Sequence, residues 1–511
     1  MNKILQLGVL LLSSGVFSQA GNLDASFGVG GKVLTSINSG ADKAYGVALQ
    51  TDGKIVVAGM TTSAVTGRDF ACVRYNIDGS LDTSFGTNGI VTNDIQIGSD
   101  DEAFSVAIQA DGKIVLAGYS DNGSNKSAAL IRLNTNGTID TGFGTSGKVL
   151  TDFITNRGDE IKVVKIHGLT GNIVVGGTSS ATSTNSQAVI ARYNSSGVLD
   201  TTFNTTGIVL LPNASGSGTY YYVIEDLAVK SNGKISAVGW INQQGLQWSA
   251  NHYACRLNSN GTLDTSFSSD GLIVTNGGYN GDDKSFSIVL KQDDSFLFSG
   301  GGYLTTLQYD YFLGLYNSTG SSAVGKAFFD FGTLFRDIAY GMGEDSTGKI
   351  VLVGSNVVSV SSSTFGIARV NADYTVDSSF GTAGKVTTTF GSNTTNEAFD
   401  VAIQTDDKII AVGYSGNAFA LARYTANTLS TDEFEVSNAI TVFPNPVKNT
   451  LNFNFSNTDF INSKYSIYDL NGRIILEGKI IAAENTINVE NLTKGLYLLK
   501  IEQTISRFIK D

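Results

Sequence analysis

Few side chains in this sequence are of the types that enzymes use as nucleophiles, general bases or zinc ligands. The chain has two histidines, His167 and His252, and neither lies in a Gly-x-Ser-x-Gly or His-Glu-x-x-His sequence. Those contexts are typical of serine hydrolases and zinc peptidases. The sequence therefore predicts no Ser-His-Asp triad and no zinc site, and we expect both histidines to be strand or loop residues. We assign no catalytic, cofactor-binding or metal-ligating residue.

Aspartate and arginine are more numerous, but they recur at a regular spacing. Arg74 precedes Asp82, and the arginine returns at positions 132, 192, 256, 369 and 423, with Leu315 once in its place. A catalytic site needs one special place, whereas a group that recurs along the chain indicates a structural role. We expect these arginines to donate hydrogen bonds to turn carbonyls or to pair with the aspartates.

Two polar turns resemble calcium loops faintly. They are the segments 76–82 and 258–264, which carry aspartate, asparagine and glycine. Calcium requires six to eight oxygen ligands, and the bidentate glutamate of a complete loop is missing here. Asx-turns explain the same residues. We therefore predict no cofactor and leave open weak calcium binding at these turns.

One region of the chain concentrates its aromatic residues on long loops. The candidate ligand-binding residues there are Trp248, Tyr220, Tyr222, Tyr279 and Tyr303. Aromatic side chains on loops can stack on a sugar ring or on a partner protein. The alternative is that they pack inside the fold.

A repeat of about 58 residues supports these side chains. It begins as Leu23-Asp24-Ala25-Ser26-Phe27-Gly28 and returns as Leu81-Asp82-Thr83-Ser84-Phe85-Gly86, with one decayed copy near Ser321. Its second part is a turn followed by an apolar run that ends in glycine. That run occurs seven times, at 55–59, 114–118, 173–177, 235–239, 296–300, 350–354 and 409–413.

Each repeat contains four segments with the character of β-strands. In the first copy they are Lys32–Thr35, Tyr45–Gln50, Lys54–Gly59 and Phe70–Asn76. The third segment is continuously apolar, as expected for a strand covered on both faces. Sheets of this kind cover one another when they are arranged in a ring. The predicted fold is therefore all-β: residues 21–425 form a seven-bladed β-propeller with four antiparallel strands in each blade. An open solenoid is the alternative.

The two ends of the repeat array predict how the ring closes. The six-residue motif is missing after the seventh repeat, but a copy at residues 23–28 precedes the first one. We expect this copy to pack against the last blade and so to attach the N-terminal segment to it. The register also places Cys72 and Cys255 three blades apart, too far for a disulfide, and we expect both to be buried as apolar residues.

The Leu-Asp-x-Ser-Phe-Gly, Asp-Gly-Lys-Ile-Val-x-x-Gly and Arg-Tyr-Asn motifs at this period resemble the delta-60 repeat family. The resemblance covers residues 22 to about 425. This is a bacterial β-propeller family of unassigned function. The resemblance implies a fold and no activity.

A different pattern follows a polar linker, residues 426–439. Residues 440–511 contain short alternating segments that are separated by turns such as Asn471-Gly472. Such a pattern predicts a small β-sandwich.

The C-terminal segment resembles the type A sorting domain of the type IX secretion system. The matching residues are Val442-Phe443-Pro444-Asn445-Pro446, Tyr468 to Arg473, Leu492 to Tyr497 and Arg507 to Asp511. The resemblance implies passage across the outer membrane, with the type IX machinery as partner, and an ordinary sandwich module is the alternative. The predicted sorting residues are Pro444, Asn445, Pro446, Gly495, Tyr497 and Lys510.

The N-terminus and the net charge indicate an exported protein. Lys3, the apolar run Ile4–Phe17 and the small residues around Ala20 have the order of a signal peptide, which we place at residues 1–20. No later run is apolar enough to span a bilayer. The formal net charge of −12 argues against binding to nucleic acid. We expect a protein that is secreted or attached to the outer cell surface.

Three functions remain open from the sequence. The first is a binding module for a glycan or a protein. The second is a secreted glycosidase or lyase that uses two carboxylates in one cleft. The third is a structural module without a ligand. Non-repeated, unpaired carboxylates in the central channel favour the enzyme, and an aromatic patch favours the binding module.

Overall fold

The structure is a computed structural model that describes residues 19–182, 185–212, 220–243, 250–275, 282–305, 308–332, 335–392, 395–426, 440–455, 462–469, 473–481, 484–501 and 504–511. The regular elements within these residues are all β-strands. The chain divides into two compact units, Met1–Thr428 and Leu429–Asp511. The predicted signal peptide and linker lie almost entirely outside the described residues. Across the described ranges we find no helical segment with the length and hydropathy of a membrane span.

Seven four-stranded antiparallel sheets form the first unit, which confirms the predicted all-β, seven-bladed propeller. The chain enters through β1 (Lys32–Thr35). Blade 1 then consists of β2 (Asp42–Leu49), β3 (Ile55–Ser63), β4 (Gly67–Tyr75) and β5 (Ile90–Asn93). Blade 2 consists of β6 (Asp100–Ile108), β7 (Ile114–Asp121), β8 (Lys126–Leu133) and β9 (Lys148–Thr151). Blade 3 consists of β10 (Gly158–Ile166), β11 (Ile173–Thr182), β12 (Asn185–Tyr193) and β13 (Ile208–Leu210).

The remaining blades follow the same order. Blade 4 consists of β14 (Tyr220–Val229), β15 (Ile235–Gln243), β16 (Ala250–Leu257) and β17 (Leu272–Thr275). Blade 5 consists of β18 (Lys284–Leu290), β19 (Phe296–Thr305), β20 (Gln308–Tyr316) and β21 (Ser322–Phe329). Blade 6 consists of β22 (Asp337–Glu344), β23 (Ile350–Ser359), β24 (Ser362–Val370) and β25 (Lys385–Thr388). Blade 7 contains β26 (Asn396–Ile403), β27 (Ile409–Ser415) and β28 (Ala418–Tyr424).

The N-terminal segment completes blade 7. Strand β1 pairs antiparallel with β28, so that Lys32 faces Ala422 and Thr35 faces Phe419. This confirms that the N-terminal segment attaches to the last blade. It also corrects the assignment of Lys32–Thr35 to the first repeat. The sequence repeat and the spatial blade are offset by one strand, because hydrogen bonding and not the sequence motif defines a sheet.

The recurrent arginine holds neighbouring blades together. Arg74 Nε donates to Asp82 Oδ2 at 2.7 Å, and Arg74 Nη1 donates to the carbonyl of Thr135, beyond the third strand of the next blade, at 2.6 Å. The guanidinium lies 4.4 Å from the ring centroid of Phe85, which is fully buried. The equivalent trios are Arg132, Asp140 and Phe143; Arg192, Asp200 and Phe203; Arg256, Asp264 and Phe267; Arg369, Asp377 and Phe380; and Arg423, Asp24 and Phe27. The predicted structural role of these residues is confirmed.

Blade 5 lacks this link to its neighbour. Leu315 occupies the arginine position, and β21 follows after the short turn at Asn317–Gly320 instead of the six-residue motif. The seam between blades 5 and 6 is therefore built differently from the other described seams. Cys72 and Cys255 are both free and buried, as predicted.

The second unit contains two sheets that share one hydrophobic cluster. Its strands are β29 (Ile440–Phe443), β30 (Thr450–Phe455), β31 (Lys464–Tyr468), β32 (Ile474–Lys479), β33 (Glu484–Asn488), β34 (Gly495–Ile501) and β35 (Thr504–Lys510). The sheet orders are β29-β30-β33 and β32-β31-β34-β35. The shared cluster includes Phe453, Ile467 and Leu499.

The predicted sorting residues lie against the last strand. Asn445 Oδ1 accepts a hydrogen bond from Ile509 N at 2.8 Å. Tyr497 stacks on Phe508 with ring centroids 5.7 Å apart. Lys510 is buried. The Pro-Asn-Pro segment and the C-terminal strand are therefore parts of one local structure.

Candidate functional site

The innermost strand of every blade carries a β-bulge, and the bulged residue faces the central channel. The bulged residues are Tyr45, Phe104, Lys162, Glu225, Phe286, Tyr340 and Phe399, in order from blade 1 to blade 7. All of them line one cavity of about 240 Å³. A bulge aims a side chain in a direction that a regular strand does not allow. The bulges therefore bring one residue from each blade into the cavity.

The glycine that ends each apolar run makes room for the bulge. At Gly59 in β3, an added Cβ would lie 1.9 Å from the carbonyl oxygen of Lys43 on the innermost strand. The equivalent distances at the other glycines are between 1.7 and 1.9 Å, at Gly118, Gly177, Gly239, Gly300, Gly354 and Gly413. No side chain fits at such a distance. The repeated glycine is therefore required by the close approach of the channel strand.

Five of the seven bulged residues are aromatic and form a continuous chain of contacts. The ring centroid of Tyr45 lies 5.3 Å from that of Phe104 and 5.2 Å from that of Phe399. Tyr340 continues the chain at 5.0 Å from Phe399 and 5.0 Å from Phe286. These rings are half-buried, so their remaining surface faces the channel. They form an aromatic wall over five consecutive blades.

Charged residues replace the aromatic ring in blades 3 and 4. Lys162 Nζ lies 2.8 Å from Glu160 Oε2 and 4.1 Å from the ring centroid of Phe104. Glu225 accepts a hydrogen bond from Trp240 Nε1 at 2.8 Å. Burial raises the pKa of Glu225, although Lys162 partly opposes that shift. This charged sector is the one place where the ring of bulged residues changes its chemistry.

A second layer of charge lies beside the bulges. Lys165 Nζ is 3.4 Å from Asp226 Oδ1, and Asp226 Oδ2 accepts hydrogen bonds from Ser287 Oγ at 3.0 Å and Ile288 N at 3.1 Å. Asp400 accepts from Val47 N at 2.9 Å in the next blade. Burial raises the pKa of Asp400 to about 6, against the lowering effect of Lys165.

The channel carboxylates are therefore partnered. Glu225 is bound by an indole N–H, and Asp226 and Asp400 each accept a backbone N–H from the neighbouring blade. Such carboxylates fix the blades and offer their remaining lone pairs to a ligand. The sector combines hydrogen-bond acceptors, two ammonium groups and aromatic faces in one cavity.

Trp240 extends the aromatic surface from the charged sector. It stacks on Tyr221 with ring centroids 5.4 Å apart, and Lys284 Nζ lies 4.3 Å from the centroid of its ring. The sequence drew attention to the aromatic residues of blade 4 but did not connect Trp240 with the channel. The bulged residues were also missed. Aligning the segments around Tyr45, Phe104 and Lys162 reveals the position at which five blades have an aromatic residue and two have a charge.

The structure separates the five predicted ligand-binding residues. Tyr222 is 1% exposed and packs in the core between blades 3 and 4, where a ligand cannot reach it without opening that packing. Tyr220 is half-buried and packs against the same cluster, 5.9 Å from the ring of Tyr222. Trp248 and Tyr279 lie outside the described residues, and for Tyr303 only the backbone in β19 is described.

The histidines have structural environments, as predicted. His252 is buried, stacks on Phe312 with centroids 4.9 Å apart, and places Nδ1 2.9 Å from Ser285 Oγ. Burial lowers its pKa to about 3, so the ring is neutral. His167 lies after β10, with Nδ1 2.7 Å from Thr170 Oγ1.

The two calcium-like turns are Asx-turns in their hydrogen bonding. Asp78 Oδ1 accepts from Ser80 N at 2.9 Å and from Ser80 Oγ at 2.6 Å. Asn260 Oδ1 accepts from Thr262 N at 3.1 Å in the same way. Calcium binding at these turns stays a prediction.

Comparison with known proteins identifies both parts of the chain. The family described as a secretion system C-terminal sorting domain matches residues 441–511. The family described as "Domain of unknown function (DUF5122) beta-propeller" matches residues 50–85, 109–143, 170–203, 230–267, 346–380 and 404–427. A comparison with curated proteins finds no match.

Several solved structures show a similar architecture at low sequence identity. PorZ, a surface component of the type IX secretion system of Porphyromonas gingivalis, is 9% identical over 91% of this chain, with a TM-score of 0.39. The present chain covers 59% of the length of that protein chain. Virginiamycin B lyase from Staphylococcus aureus is 11% identical over 76% of this chain and 98% of its own, with a TM-score of 0.41. The polysaccharide lyase Uly1 is 10% identical over 75% of this chain and 89% of its own, with a TM-score of 0.42.

Similarity at this level carries no argument about activity. The family matches agree with the seven sheets and with the two-sheet C-terminal unit on the same residues. The sorting domain implies handling by the type IX secretion system and export to the cell surface or the medium. The chain therefore belongs to the DUF5122 β-propeller repeat family and ends in a secretion system C-terminal sorting domain.

Proposed function

We propose that the protein is an exported glycan-binding protein whose ligand enters the central channel of the propeller. One observation carries this proposal: the ring of bulged residues is aromatic in five blades and charged in blades 3 and 4. A ring made only of repeated residues would indicate scaffolding alone. The change at Lys162 and Glu225 gives the channel a single distinct sector.

The chemistry of the channel suits a sugar ring. The apolar face of a sugar packs on aromatic side chains, and its hydroxyls both donate and accept hydrogen bonds. Lys162 Nζ lies over the ring of Phe104, 4.1 Å from its centroid, so the ammonium group adjoins the aromatic wall. We therefore expect one ligand to contact this donor and a neighbouring aromatic ring together. Glu225, Asp226 and Asp400 supply acceptors in the same cavity.

The size of the cavity limits what enters. At about 240 Å³ it is smaller than a pocket that encloses a drug-sized ligand. We therefore expect the end of a glycan chain or a single sugar unit to bind, and not the middle of a polysaccharide. An exported protein meets such chain ends on cell surfaces and in shed polymers.

A glycan array with the purified protein tests the proposal. We expect Phe286→Ala and Glu225→Gln each to reduce retention at least about tenfold, a loss of about 1.4 kcal/mol of binding free energy. Asp111→Asn, which changes an exposed turn carboxylate, is the control and keeps full retention. Thermal unfolding of each variant verifies that it is folded. Equal retention by all variants would contradict a channel site.

The same array tests the aromatic loops of blades 4 and 5 as a separate site. If the ligand stacks there, Trp248→Ala loses retention while Phe286→Ala keeps it. The proposal for the channel predicts the opposite pattern. Absence of retention on every glycan would favour a protein ligand or a purely structural module.

A carboxylate-based glycosidase or lyase is the second candidate. Asp226 and Asp400 line the same cavity, and the pKa of Asp400, raised by burial to about 6, suits a general acid near neutral pH. An enzyme of this kind releases reducing ends or unsaturated products from polysaccharides, and Asp400→Asn abolishes that release while retention persists. Retention without any product supports binding alone.

A further inference from the structure

Two clusters of three aspartates occupy the same place in the fold, at the junction between one blade and the next. Each contains one aspartate on the third strand of a blade, one after its fourth strand and one on the first strand of the following blade. The first cluster is Asp69, Asp94 and Asp101, and the second is Asp310, Asp330 and Asp337. Within each cluster, one oxygen from each carboxylate lies within 4.8 Å of the others.

The first cluster contains buried carboxylate oxygens without a hydrogen-bond donor among the described residues. Asp69 is 6% exposed; its Oδ2 accepts from Thr66 Oγ1 at 2.6 Å, but its Oδ1 has no partner. Asp94 Oδ2 accepts from Gly98 N at 3.0 Å, and its Oδ1 is likewise buried and unpartnered. Asp101 accepts from Ile95 N at 2.6 Å.

The second cluster repeats this arrangement more completely. Asp310 is 1% exposed, and neither of its oxygens has a donor within the described part of the chain. Asp337 is fully buried and accepts from Phe331 N and Val357 N, both at 3.2 Å. The side chain of Asp310 therefore points an unsatisfied carboxylate at two neighbouring carboxylates.

Such an arrangement is costly unless a positive partner or a proton is present. Burial raises the pKa of Asp310 to about 6 and that of Asp337 to about 7. The neighbouring carboxylates add to both shifts, and Lys385 partly opposes the shift of Asp310. The nearest equivalent lysines use their ammonium groups on main-chain oxygens, with Lys148 Nζ 2.7 Å from the carbonyl of Asp94 and Lys385 Nζ 2.5 Å from that of Asp330. A buried charge that lacks a partner is strongly unfavourable.

We propose that each cluster binds a hard divalent cation, with Ca²⁺ as the probe. Carboxylate oxygens are the ligands that such ions prefer, and Ca²⁺–oxygen distances are about 2.3–2.6 Å. Oxygens that lie within 4.8 Å of one another can therefore all reach one ion at their centre. These residues are distinct from the Asx-turns and from the channel.

The other junctions provide a natural comparison. At the junction of blades 2 and 3, Ser127 takes the place of Asp69, and its Oγ donates to Asp152 Oδ1 at 3.3 Å. Asp152 and the buried Asp159 are present there, but the carboxylate on the third strand is missing. Among the described residues, the complete trio is found at two of the junctions.

The position of the second cluster suggests its role. It joins blade 5 to blade 6, the seam at which Leu315 replaces the arginine that links other neighbouring blades. A cation held by Asp310 and Asp330 from blade 5 and by Asp337 from blade 6 supplies an ionic link at that seam. The first cluster reinforces the seam between blades 1 and 2.

Equilibrium dialysis with Ca²⁺ on the purified, metal-free protein tests the proposal. We expect one equivalent per cluster, with Kd on the order of 10⁻⁴–10⁻³ M, as for extracellular calcium modules. The double variant Asp69→Asn/Asp94→Asn loses one equivalent, and Asp310→Asn/Asp330→Asn loses the other. Asp152→Asn is the matched control and keeps both.

Thermal unfolding gives an independent readout. Addition of about 10 mM CaCl₂ raises Tm by about 2 °C or more in the native protein and in Asp152→Asn, but not in the combined cluster variant. MgCl₂ at the same concentration shows which hard cation is preferred, and NaCl at equal ionic strength controls for screening. Absence of Ca²⁺ and Mg²⁺ binding, or binding that persists in the combined variant, would overturn the proposal.

Discussion

Arg423 and Asp24 are 399 positions apart in the sequence, yet Arg423 Nε donates to Asp24 Oδ2 at 2.9 Å. In the other blades that have this pair, its members are eight positions apart. Asp24 N also donates to the carbonyl of Arg423 at 2.8 Å, and Phe27 is fully buried beside them. The N-terminal segment is therefore an integral part of blade 7.

Removal of this segment should open the ring. We expect deletion of residues 22–30 to lower Tm by about 5 °C or more, because blade 7 loses the buried Phe27 and the partner of Arg423. The milder variant Asp24→Ala leaves a buried guanidinium unpaired and should cost about 2–4 kcal/mol. Differential scanning calorimetry measures both effects.

The control for that experiment is Asp52→Ala. Asp52 lies in an exposed turn, where its ion pair with Lys54 at 3.8 Å contributes little to the free energy of unfolding. An unchanged melting curve after deletion of residues 22–30 would show that the ring does not depend on this closure.

Blade 5 suggests a second prediction, because it lacks the arginine link. Arg74→Leu copies the natural residue of blade 5 into blade 1. The carbonyl of Thr135 then loses the guanidinium as a donor, and Asp82 keeps only Lys54 and Ser84 as partners. We expect a loss of about 2–4 kcal/mol in the free energy of unfolding, measured by urea denaturation. Lys54→Met, which removes the more exposed partner of Asp82, should cost less than about 1 kcal/mol. Equal effects of the two changes would contradict the structural role of Arg74.

The sequence predicted the parts of this fold that repeat. In Leu81 to Gly86 and its copies the aspartate and the phenylalanine are constant, because both contact the buried arginine. The channel residues were not found from the sequence because their types vary from blade to blade. Lys162, Glu225 and Tyr45 occupy equivalent positions, but this equivalence is evident only from the β-bulges in the innermost strands.

The aspartate clusters were missed for a different reason. Asp69, Asp94 and Asp101 belong to three separate segments, and only the contact between two blades brings them together. Asp101 itself follows a pattern that was visible in the sequence. Equivalent aspartates recur at Asp42, Asp159, Asp283 and Asp337, three positions before the bulged residues of blades 1, 3, 5 and 6, and all are buried.

The sorting domain gives a third prediction, which concerns export. Deletion of residues 440–511 should retain the propeller inside cells that possess the type IX system, because the signal for outer-membrane passage is lost. Asn445→Ala removes the hydrogen bond that Asn445 Oδ1 accepts from Ile509 N and the one that Asn445 Nδ2 donates to the carbonyl of Arg507. We therefore expect it to loosen the last strand and to reduce export. Immunoblots of the cell and medium fractions measure the result. Lys464→Gln, on an exposed strand position, should be exported normally, and normal export of the deletion variant would contradict the assignment.

Asp310 gives the last prediction, which concerns pH. Burial raises its pKa to about 6 in the folded protein, whereas the unfolded chain titrates near 3.8. The folded state therefore binds the proton more tightly, and stability falls as pH rises from about 4 to 6.

Asp310→Asn removes this penalty without removing a hydrogen bond that the described carboxylate accepts. In metal-free buffer, the stability of the variant relative to the native protein should increase by about 1–2 kcal/mol between pH 4 and pH 8. Urea denaturation at each pH measures the difference, and Asp111→Asn should show none. Addition of Ca²⁺ at pH 8 should reverse the order, because only the native carboxylate holds the ion. A constant difference across the pH range would show that Asp310 keeps an ordinary pKa in the folded protein.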